Sequence, residues 1–127
     1  MATTELTIDN FESTLQSNEI VLIDFWAEWC GPCRMFSPVF EKVSEAYPDV
    51  VFGKIDTEAQ QQIAASFNIM SIPTLMIVRE QVIVFSQAGA MPEASLIDLV
   101  EQVKALDMAA IHADIAASKS ERESSTD

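Results

Sequence analysis

Residues 21–39 read VLIDFWAEWCGPCRMFSPV, and this stretch decides the fold and the chemistry expected of the chain. Residues 20–25 are apolar except for Asp24, as is typical of a central strand buried on both faces. A turn rich in aromatic, Gly and Pro residues follows and carries both cysteines of the chain. Residues 33–47 then predict a helix, because apolar residues recur there at helical spacing.

The segments on either side alternate between extended and helical patterns. Strands are predicted at residues 50–56, 75–78 and 82–86, and helices at residues 58–67 and 92–106. A shorter first helix places Phe11 and Leu15 on one face and can be capped by Thr7. This alternation predicts an α/β fold, and the length of 127 residues fits one domain.

Cys30 and Cys33 are separated by two residues at the predicted start of a helix. The positive end of a helix stabilises a thiolate, which is the nucleophile of disulfide exchange. We expect Cys30 to be the more exposed sulfur and to attack a substrate disulfide, after which Cys33 resolves the mixed disulfide. Gly31 permits tight backbone geometry, and Pro32 fixes the entry to the helix.

Two other interpretations of the cysteine pair remain open at this point. Half of a zinc site would need four ligands, and His112 is the single histidine of the chain. An inert structural disulfide would close a loop too short to add much stability. We expect no metal, because the ligands are too few.

Charged and aromatic residues surround the cysteines in the sequence. Asp24 interrupts an apolar run and Lys54 lies in another buried strand, so the two side chains can face each other and reduce each other's burial cost. Asp24 could then take the proton of Cys33, or the two could form a purely structural pair. We expect Trp26 in the core and Trp29 at the surface, where it offers substrate an apolar contact.

Residues 21–39 closely resemble the active-site region of thioredoxins, and the resemblance extends over about residues 4–106. The sequence Trp-Cys-Gly-Pro-Cys at residues 29–33 is its most specific element. The resemblance implies a thioredoxin fold, in which helices flank a central mixed β-sheet on both faces. It also implies that Cys30 attacks, that Cys33 resolves, and that Asp24 and Lys54 are the buried acid and its lysine neighbour.

The resemblance further implies three segments that contact substrate. Pro73 matches a cis-proline opposite the cysteines, and Ile72 would pair its backbone with an extended substrate. Gly89 and Ala90 match a third loop around the site. The remaining contacts fall on the motif itself, at Trp29, Gly31 and Pro32.

The implied activity is that of a thiol–disulfide oxidoreductase that reduces protein disulfides. Gly31-Pro32 is the dipeptide of reducing family members. The implied partners are disulfide-containing proteins and an NADPH-dependent flavin reductase, with no bound metal or organic cofactor. The alternatives are a disulfide oxidase or isomerase, and a redox-independent binding or holdase module.

The chain departs from the family pattern at its C-terminal end. Glu80-Gln81 stands where family members usually have turn residues that adopt positive φ. The resemblance therefore does not predict the geometry of that turn. Residues 82–85 are apolar on both faces.

Residues 107–127 extend beyond the predicted thioredoxin domain of residues 1–106, first as a helical continuation and from residue 118 as a disordered acidic, Ser-rich tail. Met108, Ile111 and Ile115 could cover Val82 and Val84; a dimer through that face is the alternative.

Composition restricts the other functional classes. A net charge of −13 disfavours nucleic-acid binding, because an acidic surface repels phosphates. No apolar run approaches the ~20 residues of a membrane span, and no signal peptide is recognisable. We therefore expect a cytoplasmic monomer that does not bind membranes.

Overall fold

A computed structural model describes residues 2–125, which form one mixed sheet with helices on both faces. The strand order is β1-β3-β2-β4-β5. β1, β3 and β2 run parallel, whereas β4 is antiparallel to β2 and β5 is antiparallel to β4. The strands are β1 (Thr3–Glu5), β2 (Ile20–Trp26), β3 (Val51–Asp56), β4 (Thr74–Arg79) and β5 (Val82–Ala88).

Five helices connect or follow these strands in the described part of the chain. They are α1 (Phe11–Ser17), α2 (Gly31–Ala46), α3 (Gln61–Ser66), α4 (Glu93–Lys104) and α5 (Met108–Ser125). Among residues 2–125, none of these helices is both long and apolar enough to cross a membrane.

The sheet separates two apolar clusters, because successive strand residues point to opposite faces. Leu22 packs with Phe40 of α2 and Val100 of α4 on one face. Ile23 packs with Leu15 of α1 and with Phe67, which follows α3, on the other. The predicted fold, an α/β sandwich around a mixed sheet, is confirmed.

The first residues of α1 and α3 differ most from the prediction. α1 begins after Asn10, not after Thr7, whose backbone carbonyl instead accepts the N–H of Phe11. α3 begins at Gln61, three residues later than expected, because the carboxylate of Asp56 accepts the N–H of Glu58 and holds the preceding residues in a turn. Local hydrogen bonds of this kind compete with helix formation.

The turn between β4 and β5 keeps a hairpin geometry without the usual residues. Glu80 has φ 50° and Gln81 has φ 66°, both in the left-handed region that suits a two-residue hairpin. The N–H of Glu80 donates to the carbonyl of Glu19 over 2.8 Å. The carboxylate of Glu80 lies 3.0 Å from His112 Nε2 in α5. Contacts to two other parts of the chain therefore stabilise a backbone that its own residues disfavour.

A β-bulge buries part of the apolar surface of the edge strand β5. The register shifts between Ile77 and Val78, so Val84 and Phe85 both pack against the cluster that contains α2 and α4. The core itself thus covers Val84, whereas the sequence had suggested that residues now found in α5 would cover it. Ile83, on the opposite face, stays 49% exposed.

Residues 105–107 interrupt the helix between α4 and α5, so the extension is a separate helix and not a continuation of α4. The side chain of Asp107 accepts the N–H of Ala110 at its start. The helix continues to Ser125, whereas the sequence predicted disorder from residue 118. The predicted domain of residues 1–106 begins at Met1, and the predicted extension of residues 107–127 ends with residues 126–127. These end residues lie outside the described residues. The division of the chain at residue 106 stays a prediction.

Arg79, at the end of β4, joins the sheet to the end of α4. Its Nη1 lies 2.7 Å from the carbonyl oxygen of Val103 and 2.9 Å from that of Leu106, and its Nη2 lies 3.1 Å from Glu19. The last carbonyls of a helix have no partner within the helix. The guanidinium group supplies that partner.

We expect Arg79→Met to lower the free energy of unfolding by about 2–3 kcal/mol, because it leaves these carbonyls without their charged donor. Urea denaturation at neutral pH measures the change. Lys42→Met is the matched control, since Lys42 forms an exposed ion pair with Glu93 that is worth about 1 kcal/mol or less. Equal losses in the two variants would contradict the role given to Arg79.

We expect Gln81→Gly to raise the free energy of unfolding by about 0.5–1 kcal/mol, because glycine adopts positive φ without steric cost. Gln87→Gly, in the extended backbone of β5, serves as the control and should lower it by a similar amount. Thermal or urea unfolding gives both values. A destabilised Gln81→Gly variant would argue against strain in the turn.

Candidate active site

The two cysteines lie where β2 ends and α2 begins. Cys30 is the N-cap residue of α2, with an extended backbone at φ −88° and ψ 113°, and Gly31 and Pro32 form the exposed first turn. Cys30 and Cys33 are joined in a disulfide, and the backbone N–H of Cys33 donates to Cys30 Sγ over 3.2 Å. A helix N-terminus therefore points at the sulfur of Cys30, as the sequence predicted.

The expected difference in exposure between the cysteines is absent in the disulfide. Cys30 is 4% exposed and Cys33 is 3% exposed. Both pack with Ala27 and against the partly buried Trp26 and Ile72. Burial of the whole residues thus does not distinguish the two sulfurs in the oxidised protein.

The loop before β4 lies against the disulfide. The Ile72–Pro73 peptide bond is cis, as the family resemblance implied. Cys30 Sγ lies 3.7 Å from the carbonyl oxygen of Ile72. The N–H of Gly89 donates to the carbonyl of Pro73 over 2.8 Å, and Gly89 has φ 107°, which favours glycine at this position. The exposed Ala90 follows, so the structure brings all three predicted loops to one edge of the sheet.

Trp29 and Trp26 lie in the environments that the sequence predicted. Trp29 is 68% exposed beside Cys30, and its indole N–H donates to the carboxylate of Glu58 over 2.6 Å. Trp26 is partly buried at the end of β2, and its Nε1 has no hydrogen-bond partner among the described residues. Glu58 has no signal in the sequence, because the contact depends on the fold of a loop 29 residues away.

Asp24 is fully buried on the face of β2 that α2 covers. Its exposure is 0%, and neither carboxylate oxygen has a hydrogen-bond partner among the described residues. Burial raises the pKa of Asp24 from 3.8 to about 7, and the positive charge of Lys54 partly opposes this. A carboxyl group with a pKa of about 7 can hold or release a proton under physiological conditions.

Lys54 lies next to Asp24, as predicted, but the two side chains form no direct ion pair. They are register partners on the parallel strands β2 and β3. Lys54 Nζ donates to Ser37 Oγ over 2.6 Å and lies 5.2 Å from the centre of the Trp26 ring. The expected mutual neutralisation is therefore a through-space effect.

A crevice of about 150 Å³ leads from solvent to the inner cysteine. Cys33, Ser37 and Lys54 line it together with Trp26. Ser37 was not predicted as a site residue, although its spacing of four from Cys33 places both on one helix face.

Metal-binding side chains do not gather at the site. Within the described ranges of the chain, no three His, Cys, Asp or Glu side chains are close enough to hold a metal ion. His112 contacts the carboxylate of Glu80. The N–H of Glu80 donates to the carbonyl of Glu19, the residue before β2, so His112 lies at the end of the sheet away from the cysteines.

Comparison with known proteins identifies the family. The thioredoxin family model matches residues 2–102 of this chain. The chain belongs to the thioredoxin family. It is 64% identical over 107 residues to putative thioredoxin 2 of Streptomyces coelicolor, covering 84% of this chain and 80% of that protein. It is 43% identical over 99 residues to thioredoxin C-3 of Corynebacterium nephridii, covering 77% of this chain and 68% of that protein.

Solved structures of other thioredoxins share the fold. Plasmodium falciparum thioredoxin matches with a TM-score of 0.73 and 34% identity, over 79% of this chain and 98% of that one. Thioredoxin F from spinach chloroplast matches with a TM-score of 0.75 and 29% identity, over 82% of this chain and 95% of that one.

Family membership and the Cys30–Cys33 pair together establish the activity. The protein is a thiol–disulfide oxidoreductase, and its redox centre is the Cys30–Cys33 disulfide. Thioredoxins are disulfide reductases, so its partners in general are a reductase and disulfide-containing substrates.

We expect Asp24→Asn to stabilise the oxidised protein increasingly as pH rises from about 4 to about 7. The folded state keeps a proton on Asp24 that the unfolded state has lost above a pKa of 3.8, so the parent loses stability across this window. The difference between variant and parent should grow by up to about 4 kcal/mol.

Urea denaturation at several pH values measures this difference. Asp9→Asn, an exposed carboxylate before α1, is the control and should follow the parent at every pH. A constant difference between Asp24→Asn and the parent would show that Asp24 has an ordinary pKa.

Proposed function

We propose that this protein is a cytoplasmic reductant of protein disulfides in which Cys30 attacks and Cys33 resolves. The observation that carries the assignment is the N–H of Cys33, which donates to Cys30 Sγ at the start of α2. In the reduced protein the same donor would stabilise a thiolate on Cys30, because helix N-termini lower the pKa of cysteines.

The reaction consists of two thiolate exchanges. The Cys30 thiolate attacks one sulfur of the substrate disulfide, forms a mixed disulfide and releases the other sulfur as a thiolate. Cys33 transfers its proton to Asp24, and its thiolate attacks Cys30 Sγ. That step releases the second substrate thiolate, which is then protonated, and leaves the Cys30–Cys33 disulfide. The substrate gains two electrons and the protein loses two.

Asp24 suits the role of proton acceptor. It lies on the sheet face that α2 covers, and Leu22, two residues earlier on the same face, packs with Phe36 of α2. Its pKa of about 7 makes it basic enough to accept a proton and acidic enough to return it. Lys54 tunes that pKa from the neighbouring strand.

Substrate would bind across the exposed edge around the disulfide. The backbone of Ile72 can pair with an extended segment of the substrate, as in strand addition. Trp29 supplies an exposed apolar surface, and Gly89 leaves space for the substrate backbone. Gly31, Pro32, Pro73 and Ala90 complete the proposed contact surface.

The oxidised protein must be reduced again after each turnover. We assign that step to an NADPH-dependent flavin reductase that docks on the same surface. Gly31-Pro32, the dipeptide of reducing thioredoxins, supports the direction of electron flow over an oxidase or isomerase. The absence of reduction by such an enzyme with NADPH would refute this partner without affecting the chemistry of the cysteines.

We expect Cys33→Ser to trap a mixed disulfide between Cys30 and a substrate cysteine, because no second thiol can resolve it. Cys30→Ser should trap none and reduce nothing. Non-reducing electrophoresis and mass spectrometry after mixing with a disulfide-containing protein distinguish the variants. Trapping by Cys30→Ser alone would reverse the assigned roles.

The same proposal predicts the midpoint potential of the Cys30–Cys33 couple. Equilibration of the parent protein in thiol buffers should give about −270 mV, the value of thioredoxin itself. A value between about −120 and −180 mV is typical of oxidants and isomerases and would overturn the reductant assignment.

A further inference from the structure

Lys54 lies among carboxylates without forming an ion pair with any of them. Glu5, Glu41 and Asp56 line the depression on its outer side, and Asp24 is its register partner on β2. Within the described residues, Lys54 takes part in no ion pair of 4.0 Å or less. Its ammonium group instead donates to the neutral hydroxyl of Ser37 over 2.6 Å.

Two of the surrounding carboxylates already have other donors. Glu41 Oε1 accepts the hydroxyl of Thr3 over 2.6 Å. Asp56 Oδ1 accepts the N–H groups of Glu58 and Ala59. Asp24 differs from both, because its carboxylate has no hydrogen-bond partner among the described residues and is fully buried. It is therefore the acceptor that would gain most from a direct contact with Lys54.

Ser37 lies beside Lys54 and accepts a hydrogen bond from its ammonium group. It is one helical turn beyond Cys33 on α2, and both side chains line the crevice that also contains Lys54. The centre of the Trp26 ring lies 5.2 Å from the Lys54 ammonium group. The Lys54 ammonium group is thus held between Ser37 of α2 and the ring of Trp26.

We propose that Ser37 is a positioning residue, whose hydroxyl holds the Lys54 ammonium away from Asp24 so that Asp24 can exchange a proton with Cys33 near neutral pH. The proposal rests on the proposed role of Asp24. It assigns to Ser37 no contact with substrate and no proton transfer of its own.

The charges around Asp24 make the effect specific to Lys54. Glu5 of β1, Glu41 of α2 and Asp56 of β3 line the outer depression with Lys54, and Cys33 of α2 does not titrate while it is held in the disulfide. β4 places the apolar Leu75 opposite Asp24, and α4 contributes apolar side chains to the same face. Glu28 and Arg34 lie at the mouth of the crevice with opposite charges. Among these charges, that of Lys54 lowers the pKa of Asp24, so movement of Lys54 changes the field at Asp24.

The two positions of Lys54 have different consequences for Asp24. Held by Ser37, the ammonium group only partly offsets the burial of Asp24, whose pKa stays near 7. In direct contact, a cation lowers the pKa of a carboxylate by about one to three pH units. Such an Asp24 would stay ionised at neutral pH and would accept the Cys33 proton less readily.

The test is the pH titration of the Asp24 carboxyl carbon by ¹³C NMR in the oxidised protein. We expect the midpoint to fall by about one pH unit or more in Ser37→Ala, because Lys54 loses its acceptor and turns to Asp24. Ser37→Thr, which keeps a hydroxyl, should retain the parent midpoint. Lys54→Met should raise the midpoint, and adding Ser37→Ala to it should change nothing further.

Three results would overturn the proposal: an unchanged midpoint in Ser37→Ala, a raised midpoint in that variant, or a shift that persists in the Lys54→Met background. The NMR titration does not depend on turnover. If Asp24→Asn leaves the pH profile of disulfide reduction unchanged, the role proposed for Asp24 is wrong. The midpoints still decide whether Ser37 positions Lys54.

Discussion

The redox site depends on the direct passage from a strand buried on both faces into the first turn of α2. β2 is hydrogen-bonded to β3 and β4 and covered by helices on both faces, so its last residues cannot move independently. The loop that follows is short, and Cys30 therefore lies at the positive end of a helix whose position is fixed by the core. The electrostatic advantage of a helix N-terminus falls off within one turn, so a small displacement would remove it. Packing around β2 thereby becomes a determinant of cysteine reactivity.

The same packing creates the unusual chemistry of Asp24. A carboxyl group in the middle of a central strand loses its hydration, and burial raises its pKa to about 7. The raised pKa carries a stability cost at neutral pH, because the folded state keeps a proton that the unfolded state has lost. The neighbouring ammonium group moderates that cost at a distance, because Ser37 binds it. Site and core are thus one structure, because the burial that stabilises β2 also sets the pKa of the residue to which we assign the proton transfer.

The end of the sheet opposite the cysteines shows how the extension joins the domain. Arg79 binds the last carbonyls of α4, and Glu80 contacts His112 of α5. Adjacent residues of one turn region therefore contact both C-terminal helices. These contacts also explain why Glu80 and Gln81 tolerate positive φ, since the backbone there is constrained from outside the turn.

The sequence alone determined the order of strands and helices from α1 to α4, the family, and the position of both cysteines at a helix N-terminus, but it did not predict β1. Those features depend on local patterns: apolar runs such as residues 20–25, helical spacing, and the Trp-Cys-Gly-Pro-Cys motif at residues 29–33. Asp24 and Lys54 could be predicted as neighbours from sequence because each is a charge within an apolar strand. Only the tertiary structure decided that Lys54 binds Ser37, that Glu58 accepts a hydrogen bond from Trp29, and that a bulge packs Val84 against the core. Each of these outcomes depends on distances between segments remote in the chain, and a local pattern carries no information about which of several nearby acceptors a flexible side chain will reach.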